Sequence, residues 1–376
     1  MRRAKVCFVL PSLHGGGAER AAVQILNALD PAAWDRSMYL FRREGAYLDR
    51  VDAAIEIASG DNAARVGRWI ALRRFVRRMR PQLVVAFLSY FSALTAARAA
   101  AVGARVVFNQ QTPMSDFLDD ADYRWRRPWR RAALALATRA GYRLADAIVV
   151  TSNGVADDLV SAFGIARDRI HVLHNPVDLA AVAAAAVVPL DPVADPQWPS
   201  SPRIVAAGRL ADAKNYPLML DALALLRRTV PASLLVLGDG ERGPAIREHA
   251  QRIGVGDAVV FAGFQRNPWK FIAQADVFAL SSRYEGFGNV LIEAMACGVP
   301  VVATSSPGTR DIVAGGINGL LVERHEPAEL AAALERLLTD RATRSRMAAA
   351  ARQAAERFAL PAIAAEYGRV LSEVIA

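Results

Sequence analysis

The sequence predicts an α/β protein made of two doubly wound parallel-sheet domains. Short apolar runs alternate with amphipathic helical stretches from end to end, and the alternation breaks once, in a segment rich in proline. Continuous apolar strands alternating with helices imply parallel sheets covered on both faces. A chain of 376 residues is long enough to bury two full cores.

In the first half the strand candidates are Val6–Leu10, Leu83–Leu88, Ala104–Phe108 and Ala147–Thr151. In the second half they are Ile204–Ala207, Leu234–Leu237, Val259–Ala262, Val277–Ser281 and Val299–Ala303. Between them Ala22, Ile25, Leu26 and Leu29 keep helical spacing, as do Met219, Ala222, Leu223 and Leu226. From about 179 to 202 an Ala/Val-rich stretch leads into Pro189, Pro192, Pro196, Pro199 and Pro202. Proline continues neither a helix nor a central strand, so this segment reads as a linker. The expected organisation is a first domain over 1–178, a linker over 179–202, a second domain over 203–358 and a closing helix over 359–376.

Composition narrows the class. Hydrophobic residues make up 53% and charged residues 22%, which suits a globular protein rather than a disordered one. No run reaches 18 apolar residues, and Val6–Leu10 is too short for the core of a signal peptide. Cys7 and Cys297 lie far apart without metal-ligand spacing, which argues against a disulfide framework and suits a reducing cytoplasm. Asp119-Asp120-Ala121-Asp122 is an acidic loop without the setting of a metal site, so neither a metal nor another cofactor is expected. The formal charge is +9, and its distribution is lopsided. Residues 1–178 hold 26 Lys and Arg against 17 Asp and Glu, whereas the remainder balances at 20 against 20.

The most informative stretch is Glu285-Gly286-Phe287-Gly288-Asn289-Val290-Leu291-Ile292-Glu293. It follows a strand candidate and runs into a helix that Gly298-Val299-Pro300 ends. A glycine-punctuated strand-to-helix turn presents backbone N–H groups that bind anions. Glu285 in the loop and Glu293 in the second helical turn can both face a ligand held on those amides. Carboxylates accept hydrogen bonds from hydroxyls and cannot neutralise phosphate, so the combination suits a nucleotide sugar. Gly208-Arg209-Leu210 at another strand end, with Lys214-Asn215 opening the next helix, adds two cations that can meet one diphosphate. Leu237-Gly238-Asp239-Gly240 reads as turn structure first.

These residues resemble the Glu-x7-Glu signature of retaining glycosyltransferases of family 4. Gly263-Phe264-Gln265-Arg266-Asn267-Pro268 through Pro300-Val301-Val302-Ala303-Thr304 is similar to members using UDP-hexose or UDP-N-acetylhexosamine. The resemblance implies the GT-B fold, two Rossmann-like domains facing across a cleft, with the last helix crossing back to the first domain. It implies that Arg209 and Lys214 contact the diphosphate, Glu293 the ribose and Glu285 the hexose hydroxyls. The amides of Gly286, Phe287, Gly288, Asn289 and Val290 would support sugar and phosphate, and Gly263 and Phe264 would line the base. In the first domain Gly16 and Gly17, in the cluster that follows the first strand, would close over the diphosphate. Many relatives carry a histidine after the strand that here ends near Phe108, but this chain reads Asn109-Gln110-Gln111-Thr112. Asn109 and Gln110 could orient a sugar hydroxyl through their amides.

Arg65 to Arg80 contains seven arginines and no acid, and Trp69, Leu72, Val76 and Met79 form one apolar stripe. Arg124 to Arg131 adds five arginines and two tryptophans. Such runs are ordinarily solvated faces; the alternative is docking on an anionic membrane. No nucleic-acid-binding module accompanies them. The sequence therefore points to a cytoplasmic, peripherally attached enzyme that moves a sugar from a UDP donor to a lipid-linked or lipopolysaccharide-type glycan by front-face displacement. A GT-B phosphorylase, a sugar-nucleotide epimerase and a catalytically silent basic membrane adaptor are the competing readings.

Overall fold

The computed structural model describes residues 3–14, 16–61, 65–87, 103–119, 128–193, 195–198 and 202–376. Two compact units divide the chain: Met1–Pro176 with Phe358–Ala376, and Val177–Arg357.

Unit 1 begins with β1 (Ala4–Leu10), α1 (Gly17–Ala28), β2 (Trp34–Leu40) and β3 (Glu56–Ser59). It continues through α2 (Arg65–Met79), β4 (Leu83–Ala86), β5 (Arg105–Gln110), α3 (Met114–Asp119) and α4 (Pro128–Leu144). β6 (Ala147–Val150), α5 (Asn153–Phe163) and β7 (Ile170–Val172) follow. The strands form a parallel sheet in the order β3-β2-β1-β4-β5-β6-β7. Alternation along β1 assigns the two faces. Val6, Phe8 and Leu10 pack with Ile25 and Leu26 of α1, while Cys7 and Val9 pack with Leu72 and Val76 of α2 and Leu159 of α5.

Unit 2 opens with α6 (Leu179–Ala186), whose N-terminus is capped by the Asp178 carboxylate accepting from the Ala181 amide. The segment expected as a linker is thus helical at its start. β8 (Arg203–Ala207), α7 (Tyr216–Leu226), β9 (Ser233–Leu237), α8 (Gly243–Arg252), β10 (Val259–Gly263) and α9 (Trp269–Ile272) come next. They are followed by β11 (Val277–Leu280), α10 (Asn289–Ala296), β12 (Val301–Thr304), α11 (Pro307–Ile312) and β13 (Gly319–Val322). α12 (Pro327–Thr339) and α13 (Arg341–Ala355) complete the unit. The parallel order is β10-β9-β8-β11-β12-β13, so the winding reverses between β8 and β11. Ligands of doubly wound sheets sit beyond the strand carboxyl ends at such a reversal. The last helix, α14 (Leu360–Ile375), belongs to unit 1, where Ile363, Tyr367, Val370 and Leu371 join the α1 face of the core.

Four strands escaped the sequence reading: β2, β3, β7 and β13. In β2 the reason is Arg36, a buried cation in a core strand. Its guanidinium donates to the carbonyls of Leu26, Asn27 and Leu29 at the end of α1 (3.3, 2.6 and 3.4 Å), so it behaves as a helix cap rather than a surface charge. β5 also runs two residues beyond its expected end, pairing Asn109 with Val149 and Gln110 with Val150. The expected strand residue Leu88 lies outside the described residues.

The turn after β9 is glycine for a steric reason. Gly238 has φ of 134°, and a Cβ there would overlap the Gly208 carbonyl oxygen. Gly238→Ala should lower the stability of unit 2 by about 2–4 kcal/mol in denaturant titrations. An unchanged midpoint would contradict this account of the crossing.

Candidate functional site

The loops leaving β8 and β11 meet at the reversal. After β8, Gly208 adopts φ of 153°, a 3-10 turn spans Asp212–Lys214, and Asn215 enters α7 with φ of 47°. The Tyr216 hydroxyl donates to the Gly208 carbonyl at 3.1 Å from a buried position. Burial raises its pKa well above the usual phenol value, with the Glu285 charge adding to the effect. Two hydrogen bonds to backbone carbonyls join the loops: Ser281 Oγ donates to the Lys214 carbonyl at 2.9 Å, and the Arg283 amide donates to the Ala213 carbonyl at 2.8 Å.

That scaffold places the Lys214 ammonium against the Glu285 carboxylate, at 2.7 and 3.0 Å from its two oxygens. Their side chains are only 21% and 15% exposed. A third loop closes the far side, where the Gly308 amide donates to the Glu285 carbonyl at 3.0 Å. Gly308 must lack a side chain because a Cβ would overlap the Phe287 nitrogen. Helix α10 starts from Gly288, at φ of 98°, with no side-chain cap. Phe287 and Asn289 are buried and Val290 is half-buried, so Phe287 and Asn289 present mainly backbone to a ligand at the helix start.

Glu293 is 3% exposed, and the Trp269 indole N–H donates to its Oε2 at 2.6 Å. One turn on, burial and the Glu293 charge push the Cys297 thiol up to about 12. Arg209 is exposed and makes a forked contact with Glu241 Oε2, at 2.9 and 3.2 Å. Gly263 has φ of 68°, its carbonyl accepts from the Gly238 amide at 2.8 Å, and Phe264 is exposed with its amide on Asp239 at 2.8 Å. Of the four charged residues singled out from sequence, Lys214 and Glu285 are therefore in direct contact, while Arg209 and Glu293 have other partners. Sequence reasoning missed Glu241 and Trp269. Glu241 follows Gly240 in the neighbouring turn, a signal of position; a single tryptophan opening a four-residue helix carries no spacing signal.

In unit 1, Gly16 precedes the first residue of α1 and is exposed, as is Gly17. The Glu19 carboxylate folds back over Gly16 so closely that a Cβ there would overlap it. Burial raises the Glu19 pKa, and the helix-start N–H groups and His14 oppose that shift. Glu19 is thus a local cap. The expectation that Asn109 and Gln110 orient a sugar hydroxyl is corrected by their burial, at 3% and 2% exposure. Because β5 carries them into the sheet, their amides are used internally. Asn109 Nδ2 donates to the Tyr367 hydroxyl at 2.8 Å, and its Oδ1 accepts from Gln111. Gln110 Oε1 accepts from the Tyr142 hydroxyl at 2.5 Å, and its Nε2 donates to the Thr112 carbonyl at 2.5 Å.

On α2, Leu72, Phe75 and Val76 are buried while Arg73, Arg74, Arg77 and Arg78 are exposed. A cavity of about 530 Å³ opens there, with Ile70 and Phe75 among its apolar walls and Arg74 and Arg78 as its cations. Of the second basic run, residues 124–127 lie outside the described residues, as do 120–122 of the acidic loop and Gly15. Among the described residues no His, Cys, Asp and Glu cluster could hold a metal ion, and no helix is long and apolar enough to cross a membrane.

Fold and site put the chain in the GT-B class of two-domain α/β proteins. Residues 195–354 match the family described as Glycosyl transferases group 1, and residues 15–181 match Glycosyltransferase Family 4. Together these matches span most of the chain, whose fold is that of the GT-B glycosyltransferases. It is 35% identical over 212 residues to the lipopolysaccharide core biosynthesis glycosyltransferase LpsE of Rhizobium meliloti, covering 56% of this chain and 59% of that protein. It is 38% identical over 226 residues to the D-inositol 3-phosphate glycosyltransferase of Xylanimonas cellulosilytica, covering 57% of this chain and 53% of the relative. The chain thus spans between 53% and 59% of the length of these curated relatives. Among solved structures, Anabaena Alr3699/HepE in complex with UDP-glucose superposes with a TM-score of 0.80 at 20% identity, over 98% of this chain and 99% of the other, which shows the shared fold.

The buried amides make a separable prediction. Asn109→Ala should destabilise unit 1 by about 1–3 kcal/mol, because it leaves the buried Tyr367 hydroxyl without its donor. Nucleotide affinity should stay unchanged in the same variant. Lost affinity with intact stability would return Asn109 to the ligand.

Proposed function

We propose that the chain is a retaining glycosyltransferase that moves a hexose or N-acetylhexosamine from a UDP-sugar to a lipid-linked or lipopolysaccharide/exopolysaccharide-type glycan. The observation that carries this reading is the Lys214–Glu285 pair at the strand reversal, beside the start of α10. The donor exchanges the protein's own ion pair for two better matches. A diphosphate oxygen takes the Lys214 ammonium, and hexose hydroxyls donate to the Glu285 carboxylate. The α10 amides add to the phosphate side, and Glu293 accepts from the ribose. Arg209 reaches the diphosphate by leaving the exposed Glu241, a contact that costs little to break.

In the reaction the acceptor oxygen bonds to the sugar C1 on the face from which UDP departs. The C1–O bond to the diphosphate breaks with its electron pair going to the leaving oxygen, and that group accepts the acceptor's proton. Lys214 and Arg209 stabilise the charge that grows on the diphosphate, the interaction that raises the rate. The reading uses these two cations in place of a metal ion. The acceptor class is supported by the likeness to LpsE, a lipopolysaccharide core biosynthesis glycosyltransferase, and the donor by the UDP-glucose complex of the Anabaena protein. The exposed arginines of α2 would hold unit 1 peripherally on the inner, anionic face of a membrane, each contributing about 1 kcal/mol.

Lys214→Ala and Glu293→Ala should each weaken UDP-sugar binding at least about tenfold by calorimetry. Unchanged affinity in either would overturn the assignment of that residue. Turnover should survive chelation by EDTA, and loss of activity restored by added Mg²⁺ would overturn the metal-free part of the mechanism.

A further inference from the structure

Glu293 is buried inside α10, and a buried carboxylate is tolerated only when hydrogen bonds replace its water. The Trp269 indole supplies one such bond at 2.6 Å. An indole N–H is a donor only, and its rigid ring gives the bond a single direction. The ring is itself fixed from an independent side. Trp269 is the first residue of the short helix α9, whose next residue, Lys270, is bound to both oxygens of Asp195 at 2.7 and 2.5 Å. Both members of that pair are largely buried, and Asn267, just before the helix, donates to the Ala185 carbonyl at 2.9 Å. The opening segment of unit 2 therefore clamps α9, and α9 holds the indole on the acid.

We propose that Trp269 is a positioning residue for the donor nucleotide: its indole N–H holds the Glu293 carboxylate in the orientation that accepts the ribose hydroxyls. This rests on the reading of Glu293 as the ribose acceptor. Trp269 acts through Glu293 and does not itself contact the reacting atoms. Removing the N–H leaves the carboxylate buried but unguided, so the loss should appear only for ligands that own ribose hydroxyls.

Calorimetric titration of UDP and of 2′,3′-dideoxy-UDP tests this in the full chain, in Trp269→Phe, in Glu293→Gln and in the double variant. The unaltered protein should prefer UDP, and Glu293→Gln should lose that preference. Trp269→Phe should weaken UDP about tenfold, the worth of a hydrogen bond to a charged group, and leave dideoxy-UDP unchanged. In the Glu293→Gln background it should add no further loss. Equal weakening of both ligands by Trp269→Phe, or none, with Glu293→Gln still abolishing the preference, overturns the positioning role alone. A ribose preference that survives Glu293→Gln overturns the donor-site reading beneath it as well. If Trp269→Phe does not fold, Trp269→Leu, which also lacks the N–H, carries the same readout: selective loss of UDP affinity supports the role, and equal loss for both ligands overturns it.

Discussion

A lysine and a glutamate held together by two strand-end loops organise the candidate site. Each is poorly exposed, so each alone would be costly to bury; together they cancel much of that cost. The bonds from the Ser281 hydroxyl and the Arg283 amide to the Lys214 loop keep the pair in register before any ligand arrives. A donor that brings both a diphosphate and sugar hydroxyls can replace each partner with a matching one. A ligand carrying only one of those chemistries would leave the other buried charge uncompensated. On the proposed reading, selectivity for a sugar nucleotide over a bare phosphate or a bare sugar follows from that constraint.

The surrounding glycines serve the same geometry. Gly208, Gly238 and Gly308 sit where one backbone or a lysine stem passes directly over another, and Gly288 turns the chain into α10. Three loops can then crowd at one strand reversal without side chains filling the space between them. Elsewhere in unit 2 the polar residues follow a different rule, with Arg310 tied to Ser305 at 2.7 Å and to Glu323 at 2.9 Å. A side-chain hydrogen bond from Ser305, followed by the Arg310 bond, holds the Glu323 carboxyl below the usual range and marks a local structural cluster.

Much of this was legible in the sequence because glycine spacing and apolar runs are local signals. Glu285, Gly288 and Glu293 announce a strand-to-helix turn within nine residues. The partners of the charged residues were not legible. Lys214 meets Glu285 across 71 positions, and Trp269 meets Glu293 across an intervening strand, distances over which composition carries no register. Arg36 hid β2 because a buried guanidinium reads as a surface charge until the helix end above it is known. Asn109 and Gln110 misled in the opposite direction. Two amides beyond an apolar run look like a loop, yet pairing with β6 extends the strand through them.

The exchange of partners at Lys214 is the central claim, and a crystal structure of the protein soaked with UDP-glucose tests it most directly. A diphosphate oxygen should lie within about 3 Å of Lys214 Nζ, a charge-assisted contact, with the phosphates against the start of α10. Nucleotide density elsewhere in the chain, with the Lys214–Glu285 contact unchanged, would contradict that exchange.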